Sequence, residues 1–176
     1  MSAPARTPLR RRPLSAAEVG RLLDAAPSPA VARGYLLGAL VGLRPAELAA
    51  LRWADVDLER GLVRVASVKG RAATLPLAPD ALAVLRSAYE QNAAAPVAEA
   101  AKSGQFRKDL ERAGVERATE EGIADRHSLR LAFCAALARS GVPLAVAARL
   151  MRHSSPTVTS KKPPPPKRGR ARRRRK

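Results

Sequence analysis

The chain holds two histidines, His127 and His153, and each sits close to an arginine: His127-Ser128-Leu129-Arg130 and Arg152-His153. Further upstream stand Arg44-Pro45-Ala46-Glu47 and Lys69-Gly70-Arg71. These residue types suit phosphate chemistry. A guanidinium presents a planar fork to phosphate oxygens and stays charged at any working pH. Two of them brought together can hold the negative charge of one phosphate group. A lysine can protonate a departing oxygen, and a histidine can accept or relay a proton near neutral pH. Each residue also has an ordinary reading. Arg44 stands at a helix start, where a solvated arginine is common. Lys69 beside a glycine is a usual turn residue. Either histidine can be a helix-terminal surface group, and Glu47 can be a first-turn acid that favours the helix dipole.

The elements that would carry these residues can be read from pattern. Ser15-Ala16-Ala17-Glu18 is a capping box, and Val19, Leu22 and Leu23 give the helix behind it one apolar face. Pro27 and Pro29 are expected to end that helix. A second helix is predicted over about 30–43. It is apolar on nearly all sides, which makes it the central core helix, and Gly42 breaks it. Pro45 opens a third helix to about Leu51. Asp55 to Asp57 reads as a turn. Leu62-Val63-Arg64-Val65 and Ala73-Thr74-Leu75-Pro76-Leu77 then alternate as strands, with Lys69 at their connection. Helices follow over about 79–91, 103–113, 128–139 and 143–151, and residues 92–101 are Ala-rich and weakly patterned. The fold class is mainly α with a small β-hairpin or three-stranded sheet (α+β).

The 176 residues carry 33 Lys and Arg against 15 Asp and Glu, a formal charge of +18. The ends hold most of the excess, because 161–176 has ten basic residues and no acid. The domain organisation expected is a disordered basic arm over 1–13, one domain over 14–159, and a disordered Pro/Arg/Lys-rich tail over 160–176. Such charge suits a polyanion, most often nucleic acid, although a GC-rich coding sequence also raises arginine content. No apolar run is long enough for a bilayer span, and no secretory signal is expected. One cysteine, Cys134, excludes an internal disulfide or a Cys-cluster zinc site. Mid-helix among Ala and Leu, it reads as a small buried residue.

Taken in order, Gly42-Leu43-Arg44-Pro45-Ala46-Glu47-Leu48, then Leu51-Arg52-Trp53-Ala54-Asp55, Lys69, His127-Ser128-Leu129-Arg130 and Leu150-Met151-Arg152-His153 resemble the catalytic domain of the tyrosine recombinases, the phage integrase family. The resemblance covers about residues 14–159. It implies a core that cuts one strand of double-stranded DNA through a 3′-phosphotyrosine linkage, with no metal and no cofactor. It implies catalytic roles for Arg44, Lys69, His127, Arg130 and His153, with Glu47 orienting the site from behind. It also implies work on DNA as a homo-oligomer in integration and recombination, without a membrane, in the cytoplasm at the nucleoid.

The chain departs from the family pattern at several places. No tyrosine follows His153; the two present are Tyr35 and Tyr89. Leu131 and Arg152 stand where the family usually shows His and Gly, and Arg152 adds bulk next to the site. Ala72-Ala73-Thr74 stand where a basic residue is usual. Only about fourteen residues precede the first helix, so the family's N-terminal DNA-clasping domain is not expected. The tail reads either as an out-of-frame translation of GC-rich DNA or as a genuine nucleic-acid-binding extension. With no nucleophile found, strand transfer by this chain alone is not expected, and metal ligation is expected nowhere. The alternatives are a non-catalytic DNA-binding remnant or regulator, and a basic-tailed protein that coats nucleic acid.

Overall fold

In the computed structural model, residues 10–66 and 72–152 are described. Lys69, His153 and the tail lie outside them. Seven α-helices run α1 (Ala16–Asp24), α2 (Pro29–Leu40), α3 (Pro45–Ala50), α4 (Pro79–Asn92), α5 (Ser103–Arg112), α6 (His127–Arg139) and α7 (Leu144–Leu150) among these residues. A 3-10 turn, Trp53–Asp55, leads into β1 (Val56–Asp57), followed by β2 (Leu62–Val65) and β3 (Ala73–Pro76). These three form an antiparallel sheet in the order β1-β2-β3, with Val63 opposite both Val56 and Leu75. The expectation of a mainly helical chain with a small sheet holds. Asp55 to Asp57 is not a simple turn, because Val56 and Asp57 pair with β2 as its first neighbour.

Helix α2 is the shared wall of two apolar cores. Val31, Tyr35 and Ala39 pack with α1, α5 and α6 residues such as Leu22, Phe106 and Leu129. Leu37 and Val41 pack with Leu48, with Val63, Val65 and Leu75 of the sheet, and with Leu85 of α4. An all-round apolar helix has to be covered on every side, and the two cores do so. Pro29, read as a stop, is instead the first residue of α2 behind the N-cap Ser28, whose hydroxyl accepts from the Val31 amide. Proline fits there because its missing N–H is one the helix cannot use. The Ser15–Glu18 capping box forms as expected.

Two features escape the pattern. Arg10–Arg12, which the sequence reading placed in the basic arm, make backbone contacts with the domain. Arg12 is buried, its backbone N–H donates to Ile123 O, and its guanidinium donates to Glu18 and to Glu116 O. The partner of this segment is a short hairpin, β4 (Ala118–Thr119) and β5 (Gly122–Ile123). In the Ala-rich stretch between α4 and α5, Val97, Ala98 and Ala101 are buried and their neighbours are exposed or half-buried. Arg33 donates to the Val97 and Pro96 carbonyls, and the Glu99 N–H donates to Ala30 O. Gly34 permits that approach, since a Cβ there would lie 2.0 Å from Glu99 O. Among the described residues, no helix is long and apolar enough to cross a membrane.

Candidate phosphate-binding site

The site begins where α2 stops. Gly42 adopts φ +70°, and a Cβ there would meet Phe133 at 2.5 Å, so the break demands glycine. The chain turns and Arg44 precedes α3 as its N-cap residue, in extended conformation. The cap hydrogen bond is supplied from the third residue of the helix: the Arg44 N–H donates to Glu47 Oε2 at 2.7 Å. The same carboxylate holds the Arg44 side chain, with Nη1 2.8 Å from Oε1. Glu47 is 3% exposed and Arg44 39% exposed at the side chain. A buried carboxylate therefore anchors a guanidinium whose outer edge still meets solvent.

Arg130 comes from α6, one turn in from its N-terminus, and is buried. Its Nη1 donates to Gly42 O and its Nη2 to Met151 O. Helix α6 thereby joins the end of α2 to the end of α7. Burial, then the charges of Arg44 and Arg152, push the Arg130 guanidinium down to about 10, so it is still charged at neutral pH. The bond to Gly42 O holds Arg130 against the segment that carries Arg44, and the two charges act on each other. They are 86 positions apart in sequence and arrive on different helices.

Sequence reasoning marked Arg152 only as added bulk. In the structure it is a member of the cluster. Its Nη2 lies 2.7 Å from Glu47 Oε2 and 3.3 Å from Gly42 O. Burial depresses its pKa, Glu47 opposes that shift, and Arg44 adds to it. Two guanidinium groups thus pair with one carboxylate, and Arg130 is held beside them on Gly42 O, an imbalance of positive charge that an anion would relieve.

His127 is the first residue of α6, and its backbone N–H donates to Asp125 Oδ1 at 2.8 Å. Its ring is about half exposed, with Nδ1 3.8 Å from Asp125 Oδ1. It makes no hydrogen bond to Arg44, Glu47, Arg130 or Arg152 among the described contacts. Instead it lines an open basin with Arg11, Arg107, Arg117 and Arg126. This basic basin was not legible in the sequence, since its arginines come from four separate segments. Lys69 falls between β2 and β3 in sequence, and His153 directly after Arg152; both lie outside the described residues.

The two tyrosines sit elsewhere. Tyr35 is buried in the first core and donates its hydroxyl to the Asp109 carboxylate, which together with burial holds its pKa far above the ordinary tyrosine value. Tyr89 packs edge-on against Trp53, ring centroids 5.1 Å apart. Trp53 also donates from Nε1 to Ala95 O at 2.8 Å, which makes it a structural brace. Cys134 is half-buried on α6, and burial raises its pKa, as befits a packing thiol.

Tyrosine recombinase XerC of Xanthomonas campestris pv. campestris (strain B100) is 48% identical over 46 residues, which is 26% of this chain and 14% of the relative. Among solved structures, the XerA recombinase superposes with a TM-score of 0.71 at 22% identity, over 90% of this chain and 60% of that one. The integrase from mycobacterium phage Brujita superposes at 0.67 with 28% identity, over 89% and 55%. A lambda integrase dimer bound to a COC′ core site gives 0.68 at 22% identity, over 89% and 49%. The chain therefore spans no more than about three-fifths of the relatives it matches. The profile of the phage integrase family matches residues 12–162, taking in α1 to α7 and every residue of the arginine–carboxylate cluster, and the chain belongs to that family.

Proposed function

We propose that this chain is the DNA-binding catalytic core of a site-specific tyrosine recombinase, and that by itself it holds a backbone phosphate without cutting the strand. One observation carries the reading. Arg44 and Arg130, from helices far apart in sequence, share one partly buried site around Glu47, while both tyrosines are engaged elsewhere. Two forks of fixed positive charge suit a phosphodiester and the pentavalent state derived from it. Lys69 would protonate the departing 5′ oxygen, His127 would relay the nucleophile's proton, and His153 would donate to a phosphate oxygen. The family resemblance supports these three roles. Double-stranded DNA as partner is supported by the charge of +18 and by relatives whose structures contain DNA. Assembly as a homo-oligomer on that DNA, and a place at the nucleoid, follow from the same kinship.

In-line attack needs a hydroxyl about 3–3.5 Å from the phosphorus. Tyr35 cannot supply it without leaving the core, and Tyr89 is an exposed residue of α4 whose ring packs on Trp53, with no described contact to the arginine cluster. Binding without cleavage is the expected behaviour. The test is a suicide duplex, nicked near the cleavage site and carrying a family core sequence, incubated with this chain and run on a denaturing gel. No covalent band is expected from the chain alone. A band is expected when a tyrosine-bearing C-terminal helix is joined after Thr159. A band from the unaltered chain that vanishes in Tyr89→Phe would overturn the reading.

A further inference from the structure

Resting on the phosphate-clamp reading, we infer that Arg152 is a positioning residue of that clamp, tying together the groups that aim Arg44 and Arg130. The geometry has two halves. On one side, Arg152 Nη2 takes Glu47 Oε2, and the other oxygen of that carboxylate holds Arg44 Nη1. On the other side, the same Nη2 lies 3.3 Å from Gly42 O, the carbonyl that also accepts from Arg130 Nη1. A carbonyl oxygen has two lone pairs, and these two donors use both. One guanidinium therefore touches the anchor of each clamp arginine.

The backbone argues that this placement is specific. Arg152 has φ +50°, the single positive value among the described non-glycine residues. A residue with a Cβ carries a cost in the left-handed region, where glycine would carry none. Its side chain is 11% exposed, so the guanidinium is turned inward rather than solvated. A long cationic side chain in a strained backbone, directed at a buried carboxylate, persists only because its contacts hold it there. Its charge also prevents Glu47 from cancelling Arg44, since the carboxylate is shared between two cations. The clamp keeps a net positive charge for the incoming phosphate.

The experiment uses the full chain, with inorganic phosphate as the probe and the side-chain N–H resonances of Arg44 and Arg130 as site-specific reporters. Variants are Arg152→Gly, which suits the observed φ, Arg152→Lys, which keeps the charge but loses the fork, and Arg139→Ala, which removes an exposed charge elsewhere. In the wild-type chain, phosphate should shift both reporters. Arg152→Gly and Arg152→Lys should each weaken that binding by about tenfold, because a misaligned donor loses most of its value. Arg139→Ala should leave it unchanged. Full affinity in Arg152→Lys would reduce Arg152 to a bare charge and overturn the inference. Unchanged or tighter binding in Arg152→Gly, with binding still lost in Arg44→Ala, would make Arg152 an occupant of the site and also overturn it. Failure of phosphate to shift either reporter in the wild-type chain would remove the clamp itself, and the inference with it.

Discussion

The Tyr35 hydroxyl, on α2, donates to the fully buried Asp109 carboxylate on α5. Asp109 also accepts from Gln105 Nε2 at 2.7 Å and from Arg112. A buried carboxylate survives only when its lone pairs are used, so Tyr35 is committed to stability. Tyr35→Phe should lower stability by about 1–3 kcal/mol, the cost of an orphaned buried acceptor. Chemical denaturation measures the loss. DNA affinity, measured where the variant is folded, should not change; a change would place Tyr35 in the binding surface.

Glu47 is the hub of the clamp, and its removal leaves Arg44 and the inward-facing Arg152 without their anion. Glu47→Ala should destabilise the chain by about 3 kcal/mol, the scale for breaking a buried pair. Glu47→Gln keeps the shape and should lose less, yet still release Arg44. Thermal melts of the two variants, compared with the wild type, test the ordering. Equal melting of all three would show that the carboxylate contributes nothing.

Folding should weaken in acid through Glu18. Burial raises its pKa, but hydrogen bonds from Arg12 and Ser15 outweigh this and leave it below the ordinary glutamate value. A depressed carboxyl gives stability that is complete above the unfolded value and is lost as pH falls through the folded one. The loss should therefore begin near pH 4.5 and deepen below it. Arg12→Ala should remove about 2 kcal/mol at neutral pH and flatten this acid dependence. An unaltered pH profile in that variant would mean that the contact does not set the Glu18 titration.

Binding to duplex DNA should fall steeply with salt, since each neutralised phosphate adds about 0.9 to the log–log slope. Deleting residues 161–176, which carry ten basic side chains, should flatten that slope while leaving some binding through 14–159. Fluorescence anisotropy over a salt series reads both quantities. Complete loss of binding would favour a protein that coats nucleic acid through its tail. An identical slope would show that the tail does not touch DNA.

Local chemistry made much of this fold readable. The Ser15–Glu18 box, Pro45 at a helix start, Gly42 at a break and the alternation of Leu62–Val65 each act over a few residues, and each appears where expected. Pro29 misled because proline both ends one helix and opens another, and the Ser28 cap decides between them only once formed. The burial of Arg12 and of Val97 depends on partners far away in sequence, Glu116 O in one case and Arg33 in the other. At the candidate site, Arg44, Glu47 and Arg130 were singled out through the motifs that resemble the family, and Arg44 and Glu47 do hydrogen-bond to each other. The part played by Arg152 was not legible, because no local rule places a non-glycine residue at φ +50° and turns it onto Glu47.

The shared wall formed by α2 has a consequence for how the molecule comes apart. Leu37 and Val41 belong to one core, and Val31, Tyr35 and Ala39 to the other. Melting either core strips one face of α2, so the shared helix couples the opening of the sheet half to that of the α5–α6 half. The described domain should lose its structure in one cooperative step, and the amides of α2 should be the slowest to exchange with solvent deuterium. A helix that links Gly42 to both cores also ties the rigidity of the arginine cluster to the global stability of the chain.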